Sequence, residues 1–189
     1  MQPKLFVRSA MLTAGVSLAA IAPAIGGSIY LKLPNVTGPV VRNGFSGDIE
    51  LTAYSQSFTS PVTSGSGGGS AGRPTCGAIH INKQVDVTSQ EFLEYVTRGT
   101  VLHTVTVYFT GNNPNAVTAT TRYIIVLTNV RVSSITQGDT AGNTAGLGIT
   151  ENISLVADRY QVTYASSNPD ATGGNTETYG WDCVANTAI

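Results

Sequence analysis

The run Thr118 to Thr136, TATTRYIIVLTNVRVSSIT, constrains this chain more than any other stretch. It is dense in β-branched residues, which suit a pleated, half-buried surface and lose rotamer freedom in a helix. Left bare, a strand of that length presents a long unpaired edge, which is a template for aggregation. The fold must therefore bury it or flank it with partner strands. The rest of the chain supplies partners: it carries 25 Thr and 19 Val, few helix-favouring Lys, Glu and Gln, and 21 Gly for turns. These numbers predict a mostly β protein, and 189 residues set one domain as the prior.

Alternation places the other strands. Ser28 to Leu33 puts Ile29, Leu31 and Leu33 on one face, and Asp48 to Ser57 does the same with Ile49, Leu51 and Ala53. Thr75 to Lys83 reads as a third strand. Val101 to Thr110 reads as a fourth, with Val101, His103, Val105, Val107 and Phe109 on one face. Glu151 to Ala165 and Thr178 to Val184 complete a count of seven with the long run. Pro34 to Gly47 and Gln137 to Gly148 read as loops, and Ser64 to Arg73, SGSGGGSAGR, as a mobile loop within the domain. One helix is expected, from Ser89 to Arg98. Thr88 and Glu91 have capping-box spacing, Phe92, Leu93 and Val96 form an apolar stripe, and Gly99 follows as the stop. The whole predicts a small antiparallel two-sheet β-barrel or sandwich with one lateral α-helix.

The first 24 residues differ from the rest. Lys4 and Arg8 make a basic start, Ala10 to Ala22 is an uncharged and mostly apolar run, and Ala22-Pro23-Ala24 is a small-x-small exit. That order is the pattern of a secretory signal peptide. The apolar run is short for a spanning helix, which needs about 17 to 25 residues, and Pro23, Gly26 and Gly27 interrupt its end. The organisation expected is therefore a signal-like segment over 1–24, a β domain over 25–189, and no stable membrane span.

Little chemistry can be placed on this sequence. Net charge is −1 with only 11% charged residues, which gives no basic face for nucleic acid. Gly68-Gly69-Ser70-Ala71-Gly72 matches G-x-S-x-G, but glycines precede it where a nucleophile elbow needs a strand. His80 and His103 have no metal spacing with each other or with a cysteine, and Ser133-Ser134 has no candidate base nearby in sequence. The sequence assigns no catalytic residue, metal or cofactor. Asn35-Val36-Thr37 and Asn152-Ile153-Ser154 match the glycosylation acceptor, which matters only in a eukaryotic secretory pathway. Cys76 and Cys183 form an even pair behind a secretory signal, which favours a disulfide. The bridge would be worth about 4 to 5 kcal/mol on the chain-entropy model. The alternative is two separate small core residues.

Taken in order, several stretches resemble the haemolysin-coregulated protein (Hcp) family, the tube protein of bacterial type VI secretion. IYLKLPNVTG (Ile29 to Gly38) resembles its first strand and turn, and DIELTAYSQS (Asp48 to Ser57) its second strand. Ser64 to Arg73 sits where the family has its extended loop. INKQVDVTSQEFLEYVTRG (Ile81 to Gly99) resembles its strand, Lys-x-x-Asp and helix, and Tyr123 to Thr136 its long strand. Glu151-Asn152-Ile153-Ser154-Leu155 matches a Glu-Asn-φ-Ser/Thr-Leu motif. Tyr179-Gly180-Trp181-Asp182 matches a closing Tyr-Gly-Trp-Asn, with Asp in place of Asn.

The resemblance implies a non-enzymatic protein whose copies close into hexameric rings with a wide lumen. The rings stack into a tube that is propelled by a contractile sheath with a spike, carries small effectors and is secreted. It makes Ser64, Gly67, Gly68, Gly69 and Arg73 the ring-stacking loop, and Ser55 a lumen position that touches cargo. The signal-like segment is a departure, because family members reach their machine from the cytoplasm. Three readings stay open: an exported protein that self-assembles outside the cytoplasm, a conventional inner-tube component built in the cytoplasm, and a monomeric secreted β domain that binds a ligand. The last finds no aromatic platform, since Trp181 is the one tryptophan.

Overall fold

A computed structural model describes residues 27–63, 70–111, 120–139, 148–167 and 173–189. The signal-like segment over 1–24 lies outside the described residues, as do Ser64, Gly67, Gly68 and Gly69. In chain order the elements are β1 (Ile29–Lys32), β2 (Ile49–Leu51), β3 (Ala53–Ser55), β4 (Phe58–Thr59), β5 (Val62–Thr63), β6 (Ser70–Ala71), β7 (Thr75–Cys76) and β8 (Ile79–Gln84). Then come α1 (Ser89–Arg98), β9 (Val101–Gly111), β10 (Thr120–Asp139), β11 (Ile149–Val156), β12 (Arg159–Ser167), β13 (Gly173–Asp182) and β14 (Thr187–Ala188).

The long strand organises everything, as its composition demands. One edge of β10 pairs with β9, and its other edge pairs with β12 and then β11, all antiparallel. β9 pairs with β1 and β1 with β2, while β11 pairs with β8 and β8 with β3. Only Thr52 separates β2 from β3. The path of pairings therefore returns to the bent strand on which it began. Among the described residues ten strands make one continuous antiparallel network that curls round its core, and two further pairs of short strands stand apart from it. β13 and β14 extend it beyond β12 as a wing.

Seven strands are expected and fourteen are present among the described residues: three of the expected ones split in two, and β4, β5, β6 and β14 form where no strand is expected. The expected strand over 48–57 splits at Thr52 because its halves serve different partners, β1 and β8. The expected strand over 151–165 splits at Ala157-Asp158, although both halves lie along β10 and share one register at the break, β11 shifting by one residue beyond Val132. Opposite the break Asn129 takes a left-handed φ of 53°. Its side-chain amide donates to Asp158 Oδ2 at 3.1 Å, and the Asp158 N–H donates to the Thr128 carbonyl at 3.0 Å. The ladder is kinked there, and β9 shows the same kink from its side. Val101 and His103 face outward and Leu102 inward, against the alternation expected, while Val105 and Val107 point into the core. The expected strand over 75–83 is likewise two strands: β7 leaves the main sheet and pairs with β4.

The core comprises Leu31, Ile49, Ile79, Ile81, Val105, Val107, Leu127, Ile153 and Leu155, closed at one side by Phe92 of the helix. The helix occupies the residues expected, and the Gly99 stop is left-handed at φ 64°. Two details differ. Leu93 is exposed, so the inward face is Ser89 and Phe92 with Tyr95 and Val96 beside them. The capping box does not form. The Thr88 hydroxyl donates to Asp86 Oδ1 at 2.6 Å, and Thr88 makes no side-chain cap bond. The charged Asp86 carboxylate is a strong acceptor, and it turns the Thr88 hydroxyl away from the helix N–H groups.

Candidate assembly surfaces

The residues singled out in the sequence gather into three places. The first lies where the helix meets the sheet. Lys83 and Glu151 are both buried and sit opposite each other in the register of β8 and β11. Lys83 Nζ is 2.8 Å from Glu151 Oε2 and 3.0 Å from Asp86 Oδ1. It also donates to the Ser89 hydroxyl at 3.1 Å and the Gln84 carbonyl at 2.8 Å. Ser89 Oγ and Gln137 Nε2 donate to the two oxygens of Glu151 at 2.9 and 2.7 Å. Each buried charge is thus paired and further hydrogen-bonded, which burial of an ion requires. The Lys-x-x-Asp and Glu-Asn motifs are parts of one clasp that holds the start of α1 on the sheet. Asn152, next to Glu151, points outward.

The second place is the arm between Phe58 and Cys76. β4 pairs with β7, and β5 pairs with β6. Residues 70–73, expected to be part of a mobile loop, include a paired segment. Cys76 is bonded to Cys183, which follows β13, so the pair is a disulfide and not two separate core thiols. Arg73 donates to the Val184 carbonyl at 3.0 Å, next to the bridge. The arm is fastened at its base by one covalent and one charge-assisted bond. Ser55 is exposed at the end of β3, opposite His80.

The third place is the wing. Tyr160 lies opposite Trp181, Val162 opposite Tyr179 and Tyr164 opposite Glu177 across β12 and β13, while Tyr123 of β10 lies beside Tyr164. Alternate residues share a face. The face that carries Ile125 and Leu127 into the core on β10 therefore runs on as Tyr160, Val162 and Tyr164, then Trp181, Tyr179 and Glu177. On the wing that face opens into a groove of about 340 Å³, lined by Phe58, Tyr123, Tyr160, Val162, Tyr179 and Trp181. Phe58 reaches over from the arm and meets Tyr160 edge to face at 5.1 Å. Burial pushes the phenols of Tyr54 and Tyr160 above their ordinary range. Tyr54 donates to Gln56 Oε1 at 2.6 Å. Gln56 Nε2 and Trp181 Nε1, both buried, have no acceptor among the described residues.

The closing motif is explained by its geometry. A Cβ on Gly180 would stand 3.0 Å from the Ile189 carbonyl oxygen and 2.6 Å from Ile189 Cγ1, so glycine lets β14 lie against β13. Asp182 Oδ1 accepts the Val184 and Ala185 N–H groups at 3.0 and 2.7 Å, and Oδ2 accepts from Arg159 Nε at 2.7 Å. The Ala185 N–H, then Arg159, hold its carboxyl below the usual range. The sequence carried no sign of Gln137 as a partner in the clasp, or of Phe58 as a lid. Both are brought in by strands distant in the chain.

Residues 30–164 match the family model described as type VI secretion system effector, Hcp. The chain belongs to the Hcp family. Its fold is shared with solved structures at low identity. One described as a type six secretion system protein has a TM-score of 0.79 at 19% identity, covering 86% of this chain and 99% of that one. Hcp1 from Salmonella typhimurium has a TM-score of 0.70 at 16% identity, covering 87% and 100%. A type VI secretion system effector from Yersinia pestis has 0.61 at 12% identity, covering 82% and 98%. No curated protein matches. Hcp is a family of structural tube proteins of type VI secretion, and this chain is read as one. The match covers the clasp and stops within β12, before the wing, so Tyr179, Gly180 and Trp181 lie beyond it. Among the described residues no helix is long and apolar enough to cross a membrane.

Proposed function

We propose that six copies of this chain close into a ring, that rings stack into a hollow tube, and that the tube carries small effectors and engages sheath and spike proteins. The observation that carries this reading is the family match over residues 30–164 on an antiparallel fold with one lateral helix. The wing supports it, because a sheet face that continues the core with its aromatic side chains half bare suits an interface. In this reading the arm from Ser64 to Arg73 contacts the next ring, Ser55 faces the lumen, and the chain has no catalytic role, cofactor or nucleic-acid partner. Negative-stain microscopy and light scattering at micromolar concentration test it. Rings of uniform diameter are expected, and a monomer by both methods overturns it.

The route out of the cytoplasm belongs to the same proposal. Residues 1–24 act as a signal peptide and residues 25–189 are the assembling domain. The Cys76–Cys183 disulfide supports this, since such bonds persist in oxidising compartments. The family match favours a second route, in which the chain assembles in the cytoplasm and leaves through the type VI machine. Intact mass of protein from the culture supernatant, with and without reductant, separates them. A chain lacking residues 1–24 and two hydrogens lighter when oxidised supports export before assembly. A full-length, reduced chain supports the second route.

A further inference from the structure

A ring of identical copies needs two different patches that fit each other, one on each side of every subunit. The wing groove is one such patch. Its bare apolar face, lined by Phe58, Tyr123, Val162, Tyr179 and Trp181, calls for an occupant that brings apolar surface. The chain displays a matching knob. Between β1 and β2 the loop from Gly38 to Gly47 is closed on itself: Gly38 N–H donates to the Gly47 carbonyl at 2.6 Å and Gly47 N–H to the Val40 carbonyl at 2.8 Å. Phe45 is buried and stacks on Tyr30 at 4.4 Å, which pins the loop to the body. At the tip, Val41 is 91% exposed, the barest of the exposed large hydrophobic residues among those described. A well-anchored loop that holds a valine in water is pre-organised for contact, so little ordering cost remains on binding.

Charge agrees with the fit. Arg42 follows Val41 on the knob. Glu177 stands on the groove's own face of β13, two residues from Tyr179. We infer that the tip Pro39–Val41 of one copy enters the wing groove of the next, with Arg42 meeting Glu177, and that this head-to-tail contact closes the ring. The inference rests on the ring reading and deepens it by naming the two surfaces.

Two charged substitutions test the contact from its two sides. Val41→Asp spoils the knob and leaves the groove, and Tyr179→Asp spoils the groove and leaves the knob. Both side chains are more than half exposed, so both variants are expected to keep the wild-type circular dichroism. Each alone is expected to sediment as a monomer where the wild type forms rings, a loss of association of about tenfold or more. Mixed in equal amounts they are expected to form a dimer and no larger species, because one good knob and one good groove remain. A second pair, Arg42→Glu and Glu177→Arg, is expected to weaken assembly singly and restore it together. Rings from either aspartate variant, or a mixture that stays monomeric, overturn the inference while the ring reading stands. A wild type that is itself monomeric overturns both.

Discussion

Replacing Lys83 by methionine removes one charge of a pair that the fold has taken wholly out of water. Its ammonium stands 2.8 Å from Glu151 Oε2, and both side chains have no solvent exposure. At an effective dielectric of about 20 the attraction is about 6 kcal/mol, largely offset by what it costs to desolvate two ions. The net worth of the pair is therefore small, but the cost of breaking it is not. In Lys83→Met the Glu151 carboxylate keeps only the Ser89 hydroxyl and the Gln137 amide. A loss of about 3 to 5 kcal/mol is expected, a large part of the roughly 5 to 15 kcal/mol a domain commands. Glu151→Met should cost less, about 1 to 3 kcal/mol, because Asp86 at 3.0 Å still pairs with Lys83. The double variant leaves no buried ion and should fall short of the summed losses by about 1 to 3 kcal/mol. Urea unfolding of the oxidised protein at one fixed concentration reads all three, since any assembly makes stability depend on concentration. A Lys83→Met cost below about 1 kcal/mol, or strict additivity in the double variant, would refute the clasp as described.

Three further outcomes follow from the same contacts. Reducing Cys76–Cys183, or replacing both cysteines by serine, frees a closure spanning 107 positions and should cost about 4 to 5 kcal/mol on the chain-entropy model, seen as a lower melting temperature with reductant. Asp182 has its carboxyl held low by the Ala185 N–H and Arg159, so the stability it adds is present above its unfolded value and lost as pH falls through its folded one. Urea midpoints should therefore decline on acidification, and Asp182→Asn should flatten that part of the decline. Gly180→Ala drives a methyl group to within 3.0 Å of the Ile189 carbonyl oxygen. It should cost about 1 to 3 kcal/mol and speed carboxypeptidase trimming of β14, whereas an unchanged trimming rate would deny the close approach.

Two sections of the fold show where sequence reading stops. The helix was legible to the residue because its determinants are local: an apolar face, good helix formers and a glycine that adopts the left-handed stop. Its cap was misread for an equally local reason. The Thr88 hydroxyl donates to the Asp86 carboxylate, two residues back, and is turned away from the helix N–H groups from which it would have accepted. Strand identity was legible from alternation, but strand ends were not. Thr52 breaks a strand where its partner changes from β1 to β8, and Ala157-Asp158 where the partner on the edge away from β10 changes from β8 to β13, so pairing decides where the strands end.

By itself, then, the sequence determined a mostly β chain organised around one very long strand, a single helix, and a cysteine pair suited to bridging. These follow from propensity and period, which act over a few residues. The tertiary structure decided what each piece is for. It set Lys83 against Glu151 across 68 positions of chain, tied the arm to the C-terminal wing through Cys76 and Cys183, left an aromatic face of that wing open, and held Val41 bare at the tip of a closed loop elsewhere. Contacts between residues so far apart depend on register and closure, and no local pattern encodes those. A buried charge is stable only where the fold brings its partner, and an apolar face becomes a surface only where the fold stops covering it.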